Sequence, residues 1–184
     1  QYKMAININQ DIGKNGFKLK HLIWSNTAKN NGINNMPGID GSPSQTEVIE
    51  NLRLLMVNII DPIVNVYPDL IINSGYRCVE LNKRLGGSNT SQHIFGQAVD
   101  IRVPNLTTAD LYNYIYTNIK GWDQLIWEYP ERGNNSWVHV SYGPQNRKVT
   151  TLASNREEYH NFYNGERYGN SNQYQHNITE AKLV

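Results

Sequence analysis

The chain has very little cysteine. One residue, Cys78, in 184 excludes an intramolecular disulfide and any zinc site built from several thiolates. A metal site here would have to use histidine and carboxylate ligands. No base stands beside Cys78, so it reads as a small packed residue rather than a nucleophile. Long apolar runs are missing as well. The longest, around 54-LLMVNII-60, stops well short of a membrane span. No basic start followed by an apolar stretch marks a signal peptide, although the chain opens on Gln1 and a trimmed leader stays open. Charge of either sign is sparse. Lys and Arg number 17 against 16 Asp and Glu, for a net charge of +1. The basic residues are scattered, so bulk electrostatics imply neither a nucleic-acid nor an anionic-membrane partner.

What is present is polar but only modestly charged: 39% hydrophobic and 18% charged residues. The length suits one domain with a core. Three regions are expected. Residues 1–45 form an arm rich in Asn, Gly and Lys that packs on the domain through one short helix near 17-FKLKHLIW-24. Residues 46–149 form the core. Residues 150–184 show no steady period and read as a tail, partly ordered at best.

Within the core, Val48, Leu52, Leu55, Met56, Ile59, Ile60 and Ile63 recur at helical spacing, which predicts a helix over 46–66. Pro62 should bend or end it. A short strand at 70–73 and a short helix at 78–85 follow, the latter stopped by Gly86 and Gly87. The run 97-QAVDIRV-103 alternates, with Ala98, Asp100 and Arg102 on one face and Val99, Ile101 and Val103 on the other. Thr107 or Thr108 caps a helix over 109–119. The runs 123-DQLIWEY-129 and 136-SWVHVSY-142, joined by turn-rich 130-PERGNN-135, predict a hairpin.

The chemistry-bearing residues fall in these strands and the loop before them. An aspartate inside a strand needs a partner. For Asp100 that partner is Arg102, Arg77 or a metal ion. His139 lies mid-strand with Trp137 and Ser141, on the face opposite Val138 and Val140. Alone it reads first as a half-exposed sheet histidine. His93, Asp100 and His139 together supply two imidazoles and a carboxylate, and three protein ligands plus water is the pattern of a catalytic zinc site. Glu128 alternates with Gln124 and Ile126. It is either a general base near such a site or a strand-end glutamate reaching solvent. Arg77 suits a substrate carboxylate or oxyanion, or a structural ion pair with Asp100 or Glu80. His21, His160 and His176 have no acidic or histidine neighbour at useful spacing. Trp122, Trp127 and Trp137 read as packing residues.

The segments 74-SGYR-77, 81-LNKRLGGSNTSQH-93, 96-GQAVDI-101 and 137-WVHVSY-142 resemble the zinc D-Ala-D-Ala carboxypeptidase and L-alanyl-D-glutamate endopeptidase family. That family includes phage endolysins and shares the hedgehog/DD-peptidase fold. The resemblance runs from about Phe17 to Val149. It implies zinc ligands at His93, Asp100 and His139, catalytic roles for Arg77 and Glu128, and substrate contacts from Ser91, Gln92 and Trp137. One position departs from the pattern. Better-studied members carry an acid three residues before the last histidine, where this chain has Ser136, so the acid has to come from elsewhere, and Glu128 on the preceding strand is the obvious supplier.

The resulting expectation is an α+β domain, with helices on one face of a small, mostly antiparallel sheet and Zn2+ in a groove on the other. Its activity would be hydrolysis of peptidoglycan stem peptides or muropeptides at the bacterial cell wall. A monomer is expected, with no nucleic-acid partner and no membrane span, and a phage endolysin is one setting. The competing reading is a non-catalytic, metal-containing module that binds cell wall or sits on a virion.

Overall fold

The computed structural model describes residues 5–39, 43–145 and 147, with the backbone of three further strands, Val149–Ala153, Tyr159–Tyr163 and Glu166–Tyr168. His176 lies outside the described residues, as does the side chain of His160.

The arm holds two short helices rather than one, α1 (Leu19–Ile23) and α2 (Asn26–Asn30). The second forms because Ser25 caps it, its Oγ accepting from Ala28 N at 3.1 Å. Leu19 and Leu22 are fully buried, so the arm is part of the core.

The long amphipathic segment is α3 (Gln45–Leu55), a wide π turn (Met56–Ile60) and α4 (Asp61–Val64). Pro62 does not end it. Its ring would press on the carbonyl four residues back, and the wide turn relieves this, with Asp61 N donating to Met56 O. The extra residue keeps Met56, Ile59, Ile60 and Ile63 on the buried side. Next come β1 (Ile71–Ser74), α5 (Val79–Arg84), β2 (Ala98–Arg102), α6 (Thr108–Asn118), β3 (Gln124–Glu128) and β4 (Trp137–Ser141). Cys78 caps α5, its Sγ accepting from Leu81 N, in keeping with a packed residue. Thr107 caps α6 by accepting from Asp110 N at 3.1 Å.

The three strand backbones beyond are β5 (Val149–Ala153), β6 (Tyr159–Tyr163) and β7 (Glu166–Tyr168), and the sheet order is β1-β2-β4-β3-β5-β6-β7. Every pairing is antiparallel except β3 with β5. β5 pairs in parallel with β3, and the rest of the expected tail, apart from β6 and β7, lies outside the described residues. The predicted α+β architecture is what the chain adopts. Val99, Ile101, Leu125, Trp127, Val138 and Val140 point into the core shared with the helices. Burial of these alternate residues fixes the register, because a slip of one position would turn the apolar set outward.

Candidate metal centre and active site

The opposite face of the same strands carries the polar set. Register puts Asp100 of β2 directly across from His139 of β4, and His139 across from Ile126 of β3. His93 arrives from the loop between α5 and β2. That loop is pinned by Arg77 N donating to His93 O at 3.1 Å and by Asn51 Nδ2 donating to Phe95 O at 2.8 Å.

His93 Nε2, Asp100 Oδ1 and His139 Nδ1 form a nearly equilateral triangle. Its sides are 3.2 Å between the imidazoles, 3.3 Å from His93 to Asp100 and 3.1 Å from His139 to Asp100. Tetrahedral zinc with bonds near 2.0–2.1 Å sets its ligand atoms about 3.3–3.4 Å apart, so the three atoms occupy one face of such a tetrahedron. The three residues are almost wholly shielded, at 2%, 5% and 6% exposure for His93, Asp100 and His139.

The protonation states also suit a metal. His93 Nδ1 is 2.7 Å from Gly75 O. A proton held there leaves Nε2 as the free lone pair. Burial lowers the His93 pKa to about 4 against the opposing pull of Asp100, so the ring is neutral at pH 7. Burial would raise the Asp100 pKa, but His93, His139 and Arg77 together hold it well below the usual carboxylate range. Arg77 does pair with Asp100, Nη2 to Oδ2 at 2.6 Å, while its Nε donates to Ser74 Oγ at 2.9 Å. Two of the three candidate partners of Asp100, Arg77 and a metal ion, therefore do not compete. Arginine takes one oxygen, and the other faces the imidazoles. Both nitrogens and the carboxylate fit a divalent cation.

The triad lies in a cleft of about 500 Å³, within the usual range for ligand sites. Ser91, Gln92, Arg77, Glu128 and Trp137 all line it. Glu128 pairs with Trp137, two positions along β4 from His139 and on the same face. Burial, followed by the charge of Asp100, raises its pKa to about 7. Tyr129 then turns the chain with a left-handed φ of 54°. Its ring packs on Trp137 at 4.9 Å between centroids, under the Arg132 guanidinium at 3.8 Å. Ser136, at the position of the missing acid, is buried and holds the turn instead, bonded to Thr108 Oγ1 at 2.6 Å and donating to Gly133 O at 2.5 Å. Trp122 and Trp127 are core residues.

A family model described as Peptidase M15 matches residues 15–141. The chain belongs to the Peptidase M15 family. No curated protein matches it. Membership makes it a hydrolase of a metal-dependent family, and the cluster at His93, Asp100 and His139 is where this M15 chain could hold the ion.

Two features of the M15 site escaped the sequence reading. Asn35, from the arm, donates to Ile23 O at 2.8 Å and Tyr76 O at 3.0 Å and accepts from Cys78 N at 2.7 Å. It thereby fixes the turn that presents Gly75 and Arg77. Asp123 and Arg147 form an ion pair, Nη2 to Oδ2 at 2.7 Å, and Gln92 joins it. Gln92 Nε2 donates to Asp123 Oδ2 at 2.8 Å, so the amide expected to meet substrate is engaged inside the protein. An aspartate just ahead of an apolar strand was the available signal for Asp123. Nothing local points to Arg147 as its partner.

Proposed function

We propose that this chain is a zinc peptidase that hydrolyses peptide bonds in peptidoglycan stem peptides. The observation that carries this reading is the single face shared by the His93–Asp100–His139 triangle and Glu128, inside a cleft large enough for a peptide. Zinc, when bound, supplies a Lewis acid for the scissile carbonyl and brings the pKa of water toward about 7.

The residues do the rest. His93 Nε2, Asp100 Oδ1 and His139 Nδ1 would hold the zinc. Glu128, on the same face as His139, takes the proton of the attacking water and returns it to the leaving amine. Arg77 keeps Nη1 without a partner among the described residues, and that edge binds a substrate carboxylate or the developing oxyanion. Trp137 forms an apolar wall beside Glu128. The family resemblance also favours an endolysin setting, with the bacterial cell wall as the site of action.

The test is to incubate zinc-loaded protein with peptidoglycan and muropeptides and to identify products by mass spectrometry. Loss of a terminal D-Ala would establish a carboxypeptidase, and scission after L-Ala an endopeptidase. No cleavage with one zinc bound per chain would overturn the reading in favour of a binding module.

A further inference from the structure

The cleft has a second charged wall that the reaction does not use. Arg147 lines it, beyond the residues matched by the family model. Its side chain is 43% exposed and its partner Asp123 is 0% exposed. Asp123 grips it four times over. Oδ1 accepts from Arg147 N at 2.5 Å and Nε at 3.2 Å, and Oδ2 lies 2.7 Å from Nη2 and 3.3 Å from Nε. Gln92 Oε1 accepts from Nη2 as well, at 3.3 Å. One edge of the guanidinium is thus locked, and Nη1 keeps no partner among the described residues.

Gly143, in the loop carrying Arg147, packs against the ends of the Gln92, Gln97 and Gln145 side chains. A Cβ on Gly143 would stand 2.8 Å from Gln92 Nε2 and 3.1 Å from Gln97 Oε1. An arginine held through Nε and Nη2 with Nη1 open binds a carboxylate through Nη1 with little further loss of side-chain freedom. Asp123 immediately precedes β3, and Ile126, opposite His139, lies three residues on. The anchor is therefore roughly 10 Å along the strand from the metal ligands.

We infer that Arg147 is a specificity-determining residue that binds a carboxylate of the substrate peptide at the Gln124 end of the cleft, with Asp123 and Gln92 as its positioning residues. The distance suits an acidic side chain near the scissile bond. The terminal carboxylate of a single released residue lies only about 3.5 Å from the scissile bond along an extended chain. The substrate assignment rests on the peptidase reading above; the recognition of a carboxylate does not.

Three forms of one stem peptide test this: all carboxylates free, the side-chain carboxylates amidated, and the C-terminal carboxylate amidated. The wild-type protein should prefer the free acid to the side-chain amide by about 10- to 100-fold in kcat/KM. Arg147→Met should bring that ratio close to one, and Arg147→Lys should keep part of it. Asp123→Asn should lower the ratio without reversing it. The ratio is internal to each variant, so a general loss of activity leaves it readable. If the wild-type protein cuts none of the peptides, the same ratios are read from dissociation constants by calorimetry, and only the peptidase reading falls. Wild-type indifference to side-chain amidation, or an unchanged ratio in Arg147→Met, would overturn the inference. Sensitivity to C-terminal amidation alone would do the same.

Discussion

Half-buried Arg77 and buried Asp100 form an ion pair, Nη2 to Oδ2 at 2.6 Å, on the same carboxylate whose other oxygen faces His93 and His139. Removing one member of such a pair leaves a charge without compensation, at a cost of about 3–5 kcal/mol. In Arg77→Met the metal-free protein should therefore lose stability. A bound divalent cation would replace the missing charge. Zinc should then raise the melting temperature of Arg77→Met by more than it raises that of the wild-type protein. Equal zinc-induced shifts would show that arginine and metal do not share the charge of Asp100.

His93→Ala and His139→Ala should each lose the metal, because every ligand atom lies within 3.3 Å of the other two and the three form the candidate metal group found among the described residues. Metal analysis of dialysed protein would read one zinc per wild-type chain and near zero in the variants. Full occupancy in either variant would remove that histidine from the ligand set.

Glu128→Gln should retain the metal and lose turnover by about 10²–10⁴-fold. A second signature follows from its raised pKa. The folded carboxyl titrates near 7 against an ordinary 4.5, so in this window the folded state binds the extra proton. Stability then falls as pH rises from about 4.5 to about 7. Metal-free Glu128→Gln should melt above metal-free wild type at pH 8, with the gap closing toward pH 4.5. Zinc should shrink the gap, because a nearby cation favours the charged carboxylate. Near-normal turnover in this variant would move the base elsewhere.

The sequence made the site legible wherever local alternation could speak. Asp100 against Val99 and Ile101, His139 against Val138 and Val140, and Glu128 against Leu125 and Trp127 all sort onto the faces that the period of two predicts. His93 was legible from its place on a polar loop ahead of Asp100 and as the second imidazole of the set, and the resemblance agreed. Long-range partnerships carried no local mark. Asp123 meets Arg147 across 24 positions and Gln92 meets Arg147 across 55, and Asn35 reaches Cys78 across 43. The wide turn before Pro62 was hidden for a different reason. The apolar spacing there fits a regular helix, and only the proline hinted that an extra residue would be accommodated.

Gly75→Ala should weaken the metal site from outside it. A Cβ at this position would fall 2.3 Å from Leu22 O, a backbone atom of the arm that also accepts from Tyr76 N at 2.7 Å. The turn would have to move, and with it Gly75 O, which orients His93 through Nδ1. Loss of such an orienting partner costs about 10–100-fold in metal affinity. Competition with a zinc chelator would measure it. Unchanged affinity alongside a lowered melting temperature would confine Gly75 to packing.

Asp123→Asn should expose the pH dependence of the second ion pair. Burial acts to raise the Asp123 pKa, but the Arg147 side-chain and backbone bonds and the Gln92 amide outweigh it and hold the value below 3.8. The folded carboxylate thus resists protonation more than the unfolded one. Its contribution is complete above about pH 4 and is lost as the pH falls through the folded value. Half-exposed Arg147 is screened by solvent, so the contribution at neutral pH should be about 1–2 kcal/mol. Thermal melts of the wild-type protein and Asp123→Asn should differ by a constant amount from pH 5 to 8 and converge below about pH 4. Other carboxylates cancel in that difference. A gap that persists undiminished at pH 2.5 would mean that Asp123 stabilises the chain by shape and hydrogen bonding alone, with no part played by its charge.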